Sequence, residues 1–166
     1  MIKIAWLTVL IVIVGCATIP SRNFTGDKLS YLQKVRQIPT DFEVSASEIS
    51  TIWGRAQSFI AQYSSMKQQI VTDSVIQTYN PVLVDAANQN LDFGYSVIRT
   101  PINDRFKISV QCMHFAFPGQ LMRHTTDGEV KLLTEQNLTE ICRDNAHILA
   151  HYLKTGDLPY PEILAR

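Results

Sequence analysis

The amino-acid sequence predicts one α+β domain, an antiparallel sheet of three or four strands with an N-terminal and a C-terminal helix packed on one face. Apolar residues recur at three- and four-residue steps near both ends of the chain, whereas between residues 67 and 116 the apolar period is two. No helical pattern separates the predicted strands, so neighbouring strands should be antiparallel. A length of 166 residues, 46% of them hydrophobic and 18% charged, is typical of one globular domain.

Two helices are predicted ahead of the sheet. Residues 27–37 space their leucines and Val35 about one turn apart until Pro39 ends the pattern. A longer helix is predicted over residues 47–64, because Ser45 and Glu48 fit a capping box with Ser45 as N-cap. The apolar stripe expected to face the core consists of Ile49, Ile52, Trp53, Ala56, Phe59, Ile60 and Tyr63.

Alternating apolar residues then predict the strands, over residues 70–79, 93–97 and 106–112. Residues 101–104 (PIND) have turn composition, so the second and third strands should form an antiparallel hairpin. A further short strand is predicted over residues 129–132, after an Asp-Gly turn.

The last predicted helix covers residues 135–155. Thr134 is its expected N-cap, and Gly156 and Pro159 end it. Asn145 falls inside its apolar stripe. A buried Asn needs hydrogen-bond partners, so Asn145 should either tie the helix to a strand end or line a polar pocket.

The N-terminal residues predict a targeting signal. Lys3 precedes an apolar run over residues 4–14, too short to span a bilayer but typical of a secretory signal. The segment Ile13-Val14-Gly15-Cys16 resembles the lipobox of bacterial lipoproteins. The resemblance covers the first 16 residues and implies cleavage between Gly15 and Cys16, with acyl chains such as palmitate on Cys16.

The resemblance also implies a cellular location and a division of the chain into segments. Ala17, rather than Asp, follows the lipidated Cys, which favours the outer membrane with the domain facing the periplasm. Several acyl chains on one residue anchor a protein stably. The chain is therefore divided into a signal peptide (1–15), a lipidated tether (16–26) and one α+β domain (27–166).

Charge excludes one class of partner. The chain has 15 Lys and Arg against 15 Asp and Glu, with no run of like charges. Nucleic-acid binding requires clustered basic residues, so none is expected. No P-loop, Rossmann glycine fingerprint, GxSxG or CxxC motif is present, and no cofactor is predicted.

Cys112 and Cys142 are the remaining cysteines, and each lies on the apolar face of its predicted element. In an oxidising periplasm they would form a disulfide between the third strand and the last helix. Two alternatives stay open. Both could be buried free thiols, or Cys112 could be a nucleophile beside His114 on the same strand face.

His147 and His151 stand four residues apart on the last helix, a spacing that allows two imidazoles to reach one metal ion. A helical wheel places them away from the apolar stripe, in solvent, and no third ligand has suitable spacing. No metal site is predicted.

These patterns favour a lipid-anchored periplasmic binding or envelope-assembly module. Such a module would offer an exposed sheet face or strand edge to a protein or an envelope polymer. The alternative is a small cell-envelope hydrolase that uses Cys112 and His114. The binding module is favoured over the enzyme, which stays open as the alternative, because no catalytic spacing other than Cys112 with His114 accompanies the anchor signal.

Overall fold

A computed structural model describes residues 24–81, 92–115, 120–124 and 130–164. The helices are α1 (Asp27–Val35), α2 (Ile49–Tyr63) and α3 (Glu135–Thr155), followed by a 3-10 turn at Pro161–Ile163. The strands are β1 (Asp41–Ser45), β2 (Gln68–Val71), β3 (Val75–Thr78), β4 (Phe93–Ile102), β5 (Arg105–His114), β6 (Gln120–His124) and β7 (Val130–Thr134).

The predicted α+β class is confirmed, with five strands in the main sheet rather than three or four. The strand order is β1-β5-β4-β3-β2, and every neighbouring pair is antiparallel. Strands β6 and β7 form a separate two-stranded sheet, and β7 is the short strand predicted near residue 130.

The core lies between the sheet and the α2–α3 layer. Both helices pack against one face of the sheet and against each other, while α1 packs on α3. The predicted stripe of α2 is confirmed, because it supplies Ala56, Phe59 and Ile60 to the core. The sheet residues buried beneath the helices are Phe42, Val44, Ile76, Phe93, Tyr95, Val97, Ile108 and Val110.

The single strand predicted over residues 70–79 is wrong, because the chain turns back in its middle. The Thr72 hydroxyl accepts hydrogen bonds from the backbone N–H groups of Ser74 and Val75, at 3.2 and 2.9 Å. Such a side-chain turn competes with an extended strand. The segment is therefore the β2–β3 hairpin, and β2 becomes an end strand of the sheet.

Ser45 is not the N-cap of α2, as the sequence predicted. It is the last residue of β1, a strand that the sequence pattern did not reveal, and Glu48 occupies the N-cap position. The Glu48 carboxylate still accepts hydrogen bonds from the N–H and hydroxyl of Ser45, at 3.0 and 2.6 Å. Only this half of the capping box forms, and Ser45 instead ends β1, where it pairs with Arg105 of β5.

The predicted ends of α3 and the predicted hairpin are confirmed. The Thr134 hydroxyl accepts a hydrogen bond from the N–H of Asn137, and Gly156 ends the helix at a φ of 76°. Strands β4 and β5 pair along their full length around Asn103, which adopts a φ of 52°. Asparagine tolerates this left-handed conformation better than most residues.

Candidate functional site

The face of the main sheet opposite α2 and α3 is here called the open face, because no described helix packs on it. Gln77, Ser96 and Gln111 lie side by side on β3, β4 and β5. The adjacent row contains Val75, Ile98 and Ser109. Gln111 is exposed, Ser96 between the two glutamines is buried at 3% exposure, and the others are half-buried. The centre of the open face is thus a mixed polar and apolar surface without formal charge.

Charged side chains border this surface on the β1 side. Lys107 pairs with Asp41 at 2.9 Å, and Arg105 pairs with Glu43 at 3.5 Å. Hydrogen bonds from Lys107 and Ser109 hold the pKa of the Asp41 carboxyl below its ordinary value. Because these charges compensate one another across β1 and β5, the open face suits an uncharged or weakly charged partner better than a polyanion.

The predicted disulfide is present. The structure joins Cys112 on β5 to Cys142 on α3, with their Cα atoms 5.3 Å apart, within the range that a disulfide requires. Cys142 is 4% exposed and Cys112 is half-buried. The reading of the two residues as free thiols is therefore wrong. The bond clamps α3 onto the sheet.

The disulfide bears directly on the pairing of Cys112 with His114. The His114 ring interacts through Nδ1 with the Phe115 carbonyl at 2.9 Å and through Nε2 with the Thr139 hydroxyl at 3.2 Å. Its two nitrogens are thus directed at partners other than the Cys112 sulfur. A sulfur in a disulfide is not a thiolate, so Cys112 cannot be the resting nucleophile.

His147 and His151 were predicted to be solvated, and this prediction is wrong for His151, which α1 covers, whereas His147 is half-buried. His151 is 6% exposed, and its Nδ1 lies 3.2 Å from the Tyr31 hydroxyl. Burial raises the pKa of Tyr31 to about 12, so the hydroxyl keeps its proton and can donate to neutral His151. His147 Nδ1 lies 2.7 Å from the carbonyl oxygen of Ile38.

Beside these histidines, Arg36 binds Asp144 through two hydrogen bonds of 2.7 Å each. The Asp144 side chain is 6% exposed. This contact raises the pKa of Arg36 above its ordinary value. The two histidines thus belong to a set of polar contacts that fastens α1 to α3. Within the described residues, no group of three or more His, Cys, Asp or Glu is placed to hold a metal ion.

We expect His151 to make stability depend on pH. Burial lowers the pKa of His151 below its ordinary value of 6.5. The unfolded chain therefore takes up a proton that the folded chain resists, and the free energy of unfolding should fall as the pH drops from 7.5 to 5. Denaturant titrations at several pH values measure this slope.

Replacement of His151 by Gln should flatten that slope, because Gln retains a hydrogen-bonding side chain but does not titrate. Gln57→Ala, a change at an exposed α2 residue that does not titrate, provides the control and should leave the slope unchanged. An equal slope in the wild type and in His151→Gln would contradict this assignment.

Asn145 lies fully buried in the α3 stripe, as the sequence predicted, but its amide makes no hydrogen bond to any strand end that the structure describes. Its exposed fraction is 0%, and neither its Oδ1 nor its Nδ2 has a hydrogen-bond partner among the described residues. A buried amide without partners carries a desolvation cost.

We expect Asn145→Leu to raise the free energy of unfolding by about 1–2 kcal/mol, since a similar apolar volume replaces an unpaired amide. Asn137→Leu, the same change on the same helix, should instead destabilise the protein by about 1 kcal/mol. The Asn137 side chain accepts a hydrogen bond from the Thr134 N–H at 3.0 Å, which Leu cannot do. Destabilisation by Asn145→Leu would reveal a partner for the amide.

The residues of the N-terminal signal, including Gly15 and Cys16, lie outside the described residues. No helix within the described ranges has the length and apolar character needed to cross a bilayer. Comparison with known proteins gives no match to this chain, whether with protein-family models, with curated proteins or with solved structures.

The sequence analysis missed two features of the structure, one in the main sheet and one between α1 and α3. The first is the β2–β3 hairpin, which places β2 at the end of the described sheet. The cluster Thr72-Asp73-Ser74 has turn composition and could have predicted it. The second is the Arg36–Asp144 pair, whose partners stand 108 residues apart in sequence. No local pattern connects two charged residues at that separation.

Proposed function

We propose that the chain is a lipid-anchored periplasmic binding or envelope-assembly module that presents the open face of its sheet to a partner. The observation that carries the proposal is the open face, whose centre has no formal charge and on which no described helix packs, because α2 and α3 both lie on the other side. The lipobox resemblance supports a lipid anchor on Cys16, and Ala17 at the next position favours the outer membrane.

The placement of α1 agrees with this proposal. The disulfide of Cys142 marks the side of α3 that faces the sheet. Asp144 and His151, which contact Arg36 and Tyr31, lie about half a turn around the helix from Cys142. Helix α1 therefore packs on the side of α3 turned away from the sheet. The tether directly precedes α1 in the sequence, and α1 lies on the side of the domain opposite the open face.

The tether limits how far the domain stands from the membrane. Residues 16–26 span at most about 40 Å when fully extended. A partner bound at the open face would be a component of the periplasm close to the anchoring membrane. The chemistry of the face favours an uncharged protein surface or envelope polymer.

The anchor is tested first. We expect Cys16→Ser to move the full-length protein out of the membrane fraction and to abolish incorporation of labelled fatty acid, because this thiol is the proposed site of acylation. The control is Cys112→Ser/Cys142→Ser, which should still be labelled and remain in the membrane fraction. Unchanged membrane association of Cys16→Ser would refute the lipoprotein assignment.

The open face is tested by crosslinking in cells. A photoreactive residue at Gln111, exposed on the open face, should capture a defined protein or polymer of the envelope. The same residue at Gln57, exposed on α2, provides the control. Specific adducts at position 111 that disappear with an added Ser109→Arg change would support the proposal. The same adducts at both positions would contradict it.

A further inference from the structure

The β2–β3 hairpin concentrates the exposed apolar side chains of the domain. Among the described residues, five large hydrophobic side chains are exposed, and three of them, Ile70, Val71 and Tyr79, belong to this hairpin or follow it directly. Their exposed fractions are 39%, 48% and 50%. Clustered exposed apolar residues on one end strand are typical of an interaction surface.

The two ends of the sheet differ in how they are protected. The outer strand β1 carries Asp41 and Glu43, which alternate with buried residues and pair with β5 cations. Charges of this kind discourage pairing with another strand. All four residues of β2 are exposed, and all are uncharged. The side of β2 that pairs with no other described strand, together with residues 67–73, is here called the β2 edge.

Charge is present only at the two ends of the β2 edge, and the signs are opposite. Lys67 precedes the strand and Asp73 follows it, both are exposed, and neither forms an ion pair with any described residue. Antiparallel pairing of two copies about a two-fold axis places the Lys67 end of each strand beside the Asp73 end of the other. Opposite charges at facing positions stabilise a strand pair, and like charges destabilise it.

We infer that the β2 edge binds the β2 edge of a second copy of this chain, in antiparallel orientation, to form a continuous ten-stranded sheet. This contact satisfies backbone groups at the free edge, covers Ile70 and Val71, and pairs Lys67 with Asp73 twice. The contact is isologous, as expected for a homodimer. It does not depend on the ligand of the open face.

The two-fold axis of such a dimer is perpendicular to the sheet. Rotation about this axis keeps both open faces on one side and both α1 helices on the other. Two lipid tethers can then reach the same membrane, while two open faces point away from it. The irregularity between Gln68 and Ile70 shortens the regular part of the strand, so side-chain contacts must add to the backbone pairing.

A charge exchange tests the orientation directly. Two differently tagged copies of the full-length protein are co-expressed and purified from membranes through one tag. Lys67→Asp in both copies, or Asp73→Lys in both, places like charges at both ends of the contact and should reduce co-purification roughly tenfold. A Lys67→Asp copy combined with an Asp73→Lys copy restores two opposite-charge pairs, so co-purification should return.

The control is Asp104→Lys, which makes the same charge change in the exposed β4–β5 turn and should leave co-purification unchanged. Failure of the mixed pair to recover would overturn the two-fold pairing. Unchanged co-purification of the single variants would also overturn it.

A second measurement uses the chain with its charges intact. Single Cys substitutions at positions 69, 70 and 71 should give disulfide-linked dimers in membranes at one or more positions, because facing strand residues approach within disulfide distance. Gln57→Cys on α2 should give none. The absence of dimers at all three strand positions, in a protein that still resists protease, would refute the contact.

Discussion

Reduction of the Cys112–Cys142 bond is expected to lower the free energy of unfolding by about 3–4 kcal/mol in the chain-entropy model. The bond joins residues separated by 30 positions, so it removes many conformations from the unfolded chain. It also fixes α3 to β5. Denaturant titrations of the full-length protein with and without reductant measure the difference.

The double variant Cys112→Ala/Cys142→Ala is the matched control for the reductant. It should unfold at the lower denaturant concentration whether or not reductant is added. The bond could be present, with both sulfurs alkylated only after reduction, and yet reductant could leave the unfolding transition of the wild type unchanged. That result would show that the bond does not stabilise the protein by reducing the conformational entropy of the unfolded chain. Alkylation of both residues in denatured, unreduced protein would contradict the bond itself.

The second large effect is expected from Arg36→Leu. Loss of one partner leaves the buried Asp144 carboxylate without its cation, a change that typically costs about 3–5 kcal/mol. Arg36 is 37% exposed at its side chain, so solvent screens part of the interaction. After this discount we expect a loss of about 2–3 kcal/mol in the free energy of unfolding.

Two further variants separate the charge from the packing. Arg36→Leu/Asp144→Leu should recover much of the lost stability, because removal of both charges leaves no unpaired ion. Lys28→Leu breaks the Lys28–Glu162 pair, whose side chains are 41% and 52% exposed, and should change stability by less than about 0.5 kcal/mol. Equal losses for Lys28→Leu and Arg36→Leu would mean that the Asp144 site is not desolvated.

The local elements of this fold were predictable where each one carries its own signal. The α2 stripe from Ile52 to Ile60 and the Thr134 and Gly156 caps of α3 depend on residues within a few turns of one another. The β4–β5 hairpin is equally local, because its strands meet across a two-residue turn. Short-range spacing specifies these elements before any tertiary contact forms.

The candidate site was only partly predictable. Sequence alone anticipated an exposed sheet face and the pairing of Cys112 with Cys142. It did not anticipate β1, which pairs with β5 far along the chain, nor the turn at Thr72 that makes β2 an end strand of the described sheet. The edge at β2 follows from strand order, and strand order is not encoded in any one segment.

The sequence by itself thus determined the α+β class, the main helices, the central hairpin and the resemblance to a lipoprotein signal. Only the tertiary structure decided that α1 covers the polar side of α3, where Tyr31 meets His151 across 120 residues and Arg36 meets Asp144 across 108. The physical reason is that periodicity reports which side of an element is apolar, whereas burial of a polar side depends on what packs against it. Charged and polar residues near His151 have the same sequence pattern in solvent as beneath a helix.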